Sequence, residues 1–248
     1  LGITLKDLDR LEEAETSYRK AIALKPDYVE AKHLLSALTG DTTRAAPNIY
    51  VEKLFDNYAS NFESSLVDKL AYKIPGIITK MLIKHHQGRS LGSVLDLGCG
   101  TGLAGVELKP HCSHLEGVDI SEEMLKEARC KNIYDKLTKR DIVDYLTTES
   151  LDFNYFVATD VFVYLGDLSE IFKLIKSRNK SAGRLVFSTE DTDREGFFLE
   201  KSGRYSHSRS YIQRLCEEFN YQLCHFENQN LRKDREDYIG GGLYVLDF

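Results

Sequence analysis

The 248-residue sequence has no apolar run approaching the roughly 18 residues that a membrane-spanning helix needs, so no membrane span is expected. It has no long block of lysine or arginine, and its formal net charge is −6. Bulk electrostatics therefore give no reason to expect a nucleic-acid partner. The five cysteines are odd in number and form no Cys-x-x-Cys pair. That argues against a disulfide framework and for a reduced, cytoplasmic setting. No signal peptide is visible, and because Leu1 rather than methionine comes first, the sequence is expected to be a fragment whose true N-terminus is unknown. His85-His86 and His111-Cys112-Ser113-His114 lack a further carboxylate or thiolate frame, so no metal is expected.

What is present begins with Val94 to Gly105, VLDLGCGTGLAG. Val94, Leu95 and Leu97 read as a buried strand that carries Asp96 near its end. Gly98, Gly100 and Gly102 then alternate, with Cys99 inside the turn. Glycines at this spacing allow a sharp bend and let a ligand approach where a Cβ would clash. The residues after them suit a helix whose free amide N–H groups face the ligand. Gly100, Gly102 and Gly105 also satisfy the dinucleotide G-x-G-x-x-G spacing. Asp96 weighs against a dinucleotide, because an ionised carboxylate repels a pyrophosphate and attracts a ligand bearing an ammonium group.

The string D-L-G-C-G-T-G resembles motif I of the class I S-adenosylmethionine-dependent methyltransferases. That resemblance implies S-adenosylmethionine as methyl donor, S-adenosylhomocysteine as product, and Asp96 near the donor's amino group. Leu115 to Ile120 reads as a second strand ending in Asp119, roughly twenty residues past the glycines, where a carboxylate suits ribose hydroxyls. Ser121 supplies the N-cap of the following helix, which leaves Asp119 for a ligand. Ile120 is placed for the adenine face, and Met124 lies one turn on. Asp141-Ile142 looks like the family's next nucleotide motif, an acid for the adenine amino group and an apolar residue for the ring. Asp141 equally suits a helix cap. Phe153 to Ala158 reads as a central parallel strand, and Thr159 and Asp160 follow at its carboxyl end, where ligands of open α/β sheets gather.

Gly183 to Thr189, Tyr221 to Phe226 and Leu243 to Phe248 complete the strands. Alternating strands and helices with a terminal strand pair fit an α/β fold with a seven-stranded, Rossmann-like methyltransferase sheet and helices on both faces. This domain is expected over residues 89–248. Tyr164 stands where many relatives carry histidine, which weakens any assignment of a general base. Tyr205 and His207 are substrate-facing candidates, and an imidazole at 207 suits proton transfer near neutral pH. A local cap or a surface position is the plainer alternative for His207.

Residues 1–40 carry a helical signature. Gly2, Ala14, Tyr18, Ala21 and Pro26 fall at tetratricopeptide spacings, with Tyr18 and Leu24 expected between two antiparallel helices. The segment is expected either to dock a protein partner or a second copy, or to pack on the main domain. With it, the whole chain resembles bacterial methyltransferases that bear tetratricopeptide repeats. Residues 41–88 read as a linker followed by a helical lid. The run YVEKLFDNYASNFE resembles the lid of small-molecule methyltransferases, which implies that Tyr58 touches the donor; packing of Phe55, Tyr58 and Phe62 on the sheet is the alternative. There is no Asn/Asp-Pro-Pro-Tyr motif after the fourth strand and no paired-glutamate loop, so the resemblance implies a small-molecule acceptor with an oxygen, carbon or nitrogen nucleophile. The rival expectation is a non-catalytic donor-binding module that docks a partner through the helical segment.

Overall fold

A computed structural model describes residues 1–85, 90–234 and 237–248. Five parallel strands form the centre: β1 (Ser93–Leu97), β2 (His114–Asp119), β3 (Lys136–Lys139), β4 (Tyr155–Ala158) and β5 (Arg184–Asp191). They lie in the order β3-β2-β1-β4-β5. Their side chains alternate between two apolar layers, as the period of a strand requires. Leu95, Leu97, Phe156 and Ala158 face one core, shared with α8 (Ile142–Thr148), α9 (Ser169–Arg178) and α10 (Arg209–Phe219). Val94, Tyr155, Val157 and Val186 face the other, shared with α5 (Ile74–His85) and α6 (Leu103–Leu108).

The seven-strand frame is completed by a long antiparallel hairpin, β8 (Gln222–Asp234) and β9 (Asp237–Asp247), with β9 lying antiparallel against β5. Two further short strands bring the sheet to nine among the described residues: β6 (Phe197–Leu199) and β7 (Tyr205–His207). Glu190 pairs with Gly241 of β9 on one side and Ser206 of β7 on the other. The β6–β7 hairpin thus takes over the edge of β5 beyond the point where β4 ends, above the carboxyl ends of the central strands. In the stretch from Thr192 to Arg204 a three-residue apolar run, Phe197 to Leu199, stands among polar residues and glycines with no strand alternation, which is why this hairpin was not expected.

Three helices precede the sheet: α1 (Gly2–Asp7), α2 (Leu11–Leu24) and α3 (Val29–Thr39). Tyr18 is buried against Gly2, where an added Cβ would sit 2.5 Å from the ring. Leu24, expected between the helices, is 89% exposed at the end of α2. The segment packs on the main body. His33 Nε2 lies 3.0 Å from the Gly203 carbonyl, and its ring is 4.8 Å from that of Tyr50 on α4 (Asn48–Tyr58). Residues 40–47, expected as a free linker, are instead tied down. Ala46 N donates to the Tyr164 carbonyl, and the Gly166 and Asp167 amides donate to the Arg44 carbonyl. A segment whose glycine and proline exclude helix has satisfied its backbone by pairing with a loop.

Candidate active site

The carboxyl ends of β1, β2 and β4 open into one cleft. Its floor is the glycine turn, with φ of +67° at Gly98, +53° at Gly100 and +91° at Gly102. A Cβ at Gly98 would come 2.6 Å from Val161, so this bend and its neighbour admit no side chain. At Gly100 nothing stands within 4 Å of where a Cβ would lie. The cradle is open there, toward the cleft.

Asp119 ends β2 and is buried. Its Oδ2 accepts from Gly100 N and its Oδ1 from Ser121 N, both at 2.8 Å, bonds that hold the carboxylate against the glycine turn. Each oxygen keeps a lone pair for a further donor. Burial pushes this carboxyl up to about 6, against the opposing pull of the Ser121 and Gly100 amides. Ser121 does cap α7 (Glu122–Cys130), accepting from Met124 N at 3.1 Å, and its hydroxyl donates to Asp56 of α4 at 2.6 Å. Asp56 thereby ties α4 to the start of α7, beside Asp119.

Asp96 sits beneath the turn, 1% exposed, and is not itself on the cleft wall. Its Oδ2 accepts from the Tyr134 hydroxyl at 2.7 Å, and its Oδ1 has no hydrogen-bond partner among the described residues. Burial pushes it up to about 7, with the Tyr134 bond acting the other way. Gly102 is likewise off the wall, packed against the Tyr134 ring.

The other expected donor-site residues converge. Gly98, Cys99, Gly100, Asp119, Ile120, Met124, Asp141, Ile142, Thr159 and Asp160 all line the cleft. Asp141 also caps α8, through one oxygen that accepts from Val143 N at 2.9 Å and Asp144 N at 3.1 Å. Leu54, Phe55, Tyr58 and Phe62 form the roof, with Phe55 edge-on to Tyr164 at 5.3 Å. Tyr58 stands at the mouth, 41% exposed.

Of the three expected catalytic residues, only Tyr164 reaches the cleft. Tyr205 belongs to β7, and its hydroxyl is bonded to Thr43 Oγ1 at 2.5 Å. His207 is neither a surface residue nor a cleft residue. It is fully buried, with Nε2 2.9 Å from the Leu165 carbonyl and 3.0 Å from that of Gly166. Burial pushes its imidazole down to about 4. Both positions are consumed by the unexpected hairpin, because its register turns these side chains onto the 40–47 strap and the 162–166 turn.

Two arginines were missed. Arg232 of β8 is 1% exposed; its Nη1 meets both oxygens of Asp160 at 2.5 and 2.8 Å, and its Nη2 donates to Glu190. Burial raises Glu190, with Arg232 and Arg204 opposing. Arg204, just before β7, lines the cleft opposite the glycine turn. Both lie in polar stretches with no motif, and no local signal in the sequence marks either one. Among the described residues no group of three His, Cys, Asp or Glu side chains is arranged to hold a metal ion; His86 lies outside the described residues.

Residues 89–239 match a family model described as a methyltransferase domain. The chain is 26% identical over 135 residues to the probable S-adenosylmethionine-dependent methyltransferase CRG1 of Saccharomyces cerevisiae, covering 51% of this chain and 45% of that protein. It is 33% identical over 86 residues to methyltransferase-like protein 27 of Homo sapiens, covering 34% of this chain and 35% of the human protein. The matches thus span less than half the length of these relatives. Among solved structures, a SAM-dependent methyltransferase of Leishmania major aligns with a TM-score of 0.56 at 18% identity, over 88% of this chain and 82% of that one. Magnesium protoporphyrin IX methyltransferase from Synechocystis PCC 6803 with bound SAM aligns at 0.54 and 18% identity, over 70% of this chain and 77% of that one. These likenesses carry the fold. More than half of the sequence lies under the family model, and the protein belongs to the methyltransferase-domain family.

Proposed function

We propose that the protein transfers a methyl group from S-adenosylmethionine to a small-molecule acceptor. The observation that carries this reading is the meeting, in one roofed cleft, of an open glycine turn with the Asp119 carboxylate that is bonded to it. The bound donor supplies an activated methyl on a positive sulfur; the nucleophile takes the methyl carbon and the C–S bonding pair stays on sulfur. The chain's own residues then hold and orient. Asp119 accepts from the ribose hydroxyls, Ile120, Met124 and Ile142 pack on the adenine, and Asp141 accepts from its amino group through the oxygen not used in capping. Asp96, under the turn, supplies the negative charge that balances the donor's amino group. Thr159, Asp160 and Tyr164 border the space left for the acceptor. Phe55, Tyr58 and Phe62 exclude water, and alignment of this kind contributes several kcal/mol to the rate.

Helices α1 to α3 are read as a tetratricopeptide-like segment, about one repeat and the first helix of a following one, that serves as a packing element, a reading supported by Tyr18 of α2 seated on Gly2 of α1 and by the bond of His33 of α3 to Gly203. Incubation with S-adenosylmethionine labelled in its methyl group and a small-metabolite extract tests the enzymatic reading. Label in a small-molecule fraction is expected. Donor binding with no transfer to any component would point instead to a binding module.

A further inference from the structure

The two arginines near the acceptor end of the cleft are engaged very differently. Arg232, inside the sheet, meets both oxygens of Asp160 with one nitrogen and Glu190 with the other. Its single positive charge answers two carboxylates from below. Arg204 stands at the cleft wall with its side chain 32% exposed. The one carboxylate within 4 Å of it among the described residues is Glu190, whose Oε1 is 3.9 Å from Nη1 and already accepts from Arg232. That is beyond hydrogen-bond reach. Its other neighbour is the Tyr164 phenol. Burial works against its charge, but Tyr164, Glu190 and Asp160 together outweigh it, so the guanidinium stays charged. Arg140, the other arginine on the cleft wall, gives its Nη1 to Thr148 and Glu149.

Arg204 is carried to this place by the β6–β7 hairpin, the part of the sheet that exceeds the seven-strand frame. Val51, Phe55 and Leu165 line the same cleft. A guanidinium with open N–H groups beside a phenol, next to an apolar wall, fits a carboxylate held by paired N–H donors. Asp160 and Glu190 lie close enough to repel a dianion, and among the described residues Arg204 is the one cation facing this end of the cleft, so a monoanion is the better match.

We propose that Arg204, with Tyr164 beside it, binds a carboxylate of the acceptor, making the acceptor a monoanionic carboxylic acid with an apolar body. The inference rests on the methyl-transfer reading for the donor half of the cleft. Calorimetry separates the two. S-adenosylhomocysteine is titrated first. Butyrate, hexanoate, 3-phenylpropionate and dodecanoate, each paired with its amide, are then titrated into the S-adenosylhomocysteine-loaded protein, the Arg204→Met variant and the Arg204→Lys variant. At least one carboxylate is expected to bind the wild type ten-fold or more tighter than its amide. Arg204→Met should abolish that preference with S-adenosylhomocysteine affinity within two-fold of wild type, and Arg204→Lys should keep part of it. The proposal is overturned if no carboxylate outbinds its amide. It is equally overturned if Arg204→Met weakens S-adenosylhomocysteine ten-fold while the carboxylate preference survives, since the arginine would then read the donor. Failure of S-adenosylhomocysteine to bind the wild type would refute the donor reading. The same carboxylate and amide pairs in the unloaded protein would then still decide the role of Arg204.

Discussion

Replacing Asp96 by asparagine removes a charge from a place where burial strongly opposes it. The carboxyl is raised from an ordinary 3.8 to about 7, a difference of about three units. At about 1.4 kcal/mol per unit this amounts to at most about 4 kcal/mol of stability, linked to pH. A raised folded-state value means that the folded protein holds the proton more tightly than the unfolded chain. The contribution is therefore fully present below the unfolded value near 3.8 and is lost as pH rises through about 7. Asparagine does not titrate, keeps the shape and still accepts from Tyr134. Its stability relative to wild type should accordingly grow from pH 5 to pH 8 by about 2.5 kcal/mol, the rest of the loss falling below pH 5. Urea unfolding followed by circular dichroism at pH 5, 6, 7 and 8 measures this directly. The same variant should bind S-adenosylmethionine at least ten-fold more weakly at pH 8, because the charge that balances the amino group is gone. A stability difference that stays flat across this range would refute the buried, high-lying carboxyl.

Asp119→Ala removes the acceptor for the ribose and unties Gly100 and Ser121 together; donor affinity should fall by roughly 10- to 100-fold in calorimetry, as expected for charge-assisted hydrogen bonds. Gly98→Val places a branched side chain at a φ of +67° against Val161; S-adenosylhomocysteine binding should be lost while circular dichroism still reports a folded chain. His207→Gln tests a buried residue rather than a proton acceptor. Because its folded value is depressed to about 4, the stability His207 contributes is complete above about 6.5 and lost as pH falls toward 4. The variant should flatten that loss in acid unfolding and leave donor affinity unchanged, whereas weakened donor binding would return His207 to the site.

Much of the donor half was legible because its chemistry is local in sequence. A glycine turn, an acid at the end of the next strand and a capped helix after it follow one another along consecutive elements of the chain, so Asp119, Ile120 and Met124 arrive together with the turn. Asp96 shows the limit: its letter marks the motif, but only the fold shows that Tyr134, far along the chain, holds it under the floor. The acceptor half depends on contacts between distant segments. Arg204 reaches the cleft through a short hairpin with no strand period, and Arg232 joins Asp160 and Glu190 from the last pair of strands. His207 carried the right chemistry for a base, but its register in β7 points it at the Leu165 and Gly166 carbonyls. Thr159 and Asp160, by contrast, follow β4 so closely that the carboxyl-end rule for open sheets pointed to them, while Tyr164 was marked only by its place in the family pattern; all three line the cleft.

A crystal structure of the protein with S-adenosylhomocysteine bound tests the central claim most directly. Density for the ribose hydroxyls within hydrogen-bond distance of Asp119, with the homocysteine chain running across Gly98 to Gly100 beneath Phe55 and Tyr58, is the expected result. Density outside this cleft, or a cleft left empty at a saturating ligand concentration, would contradict it.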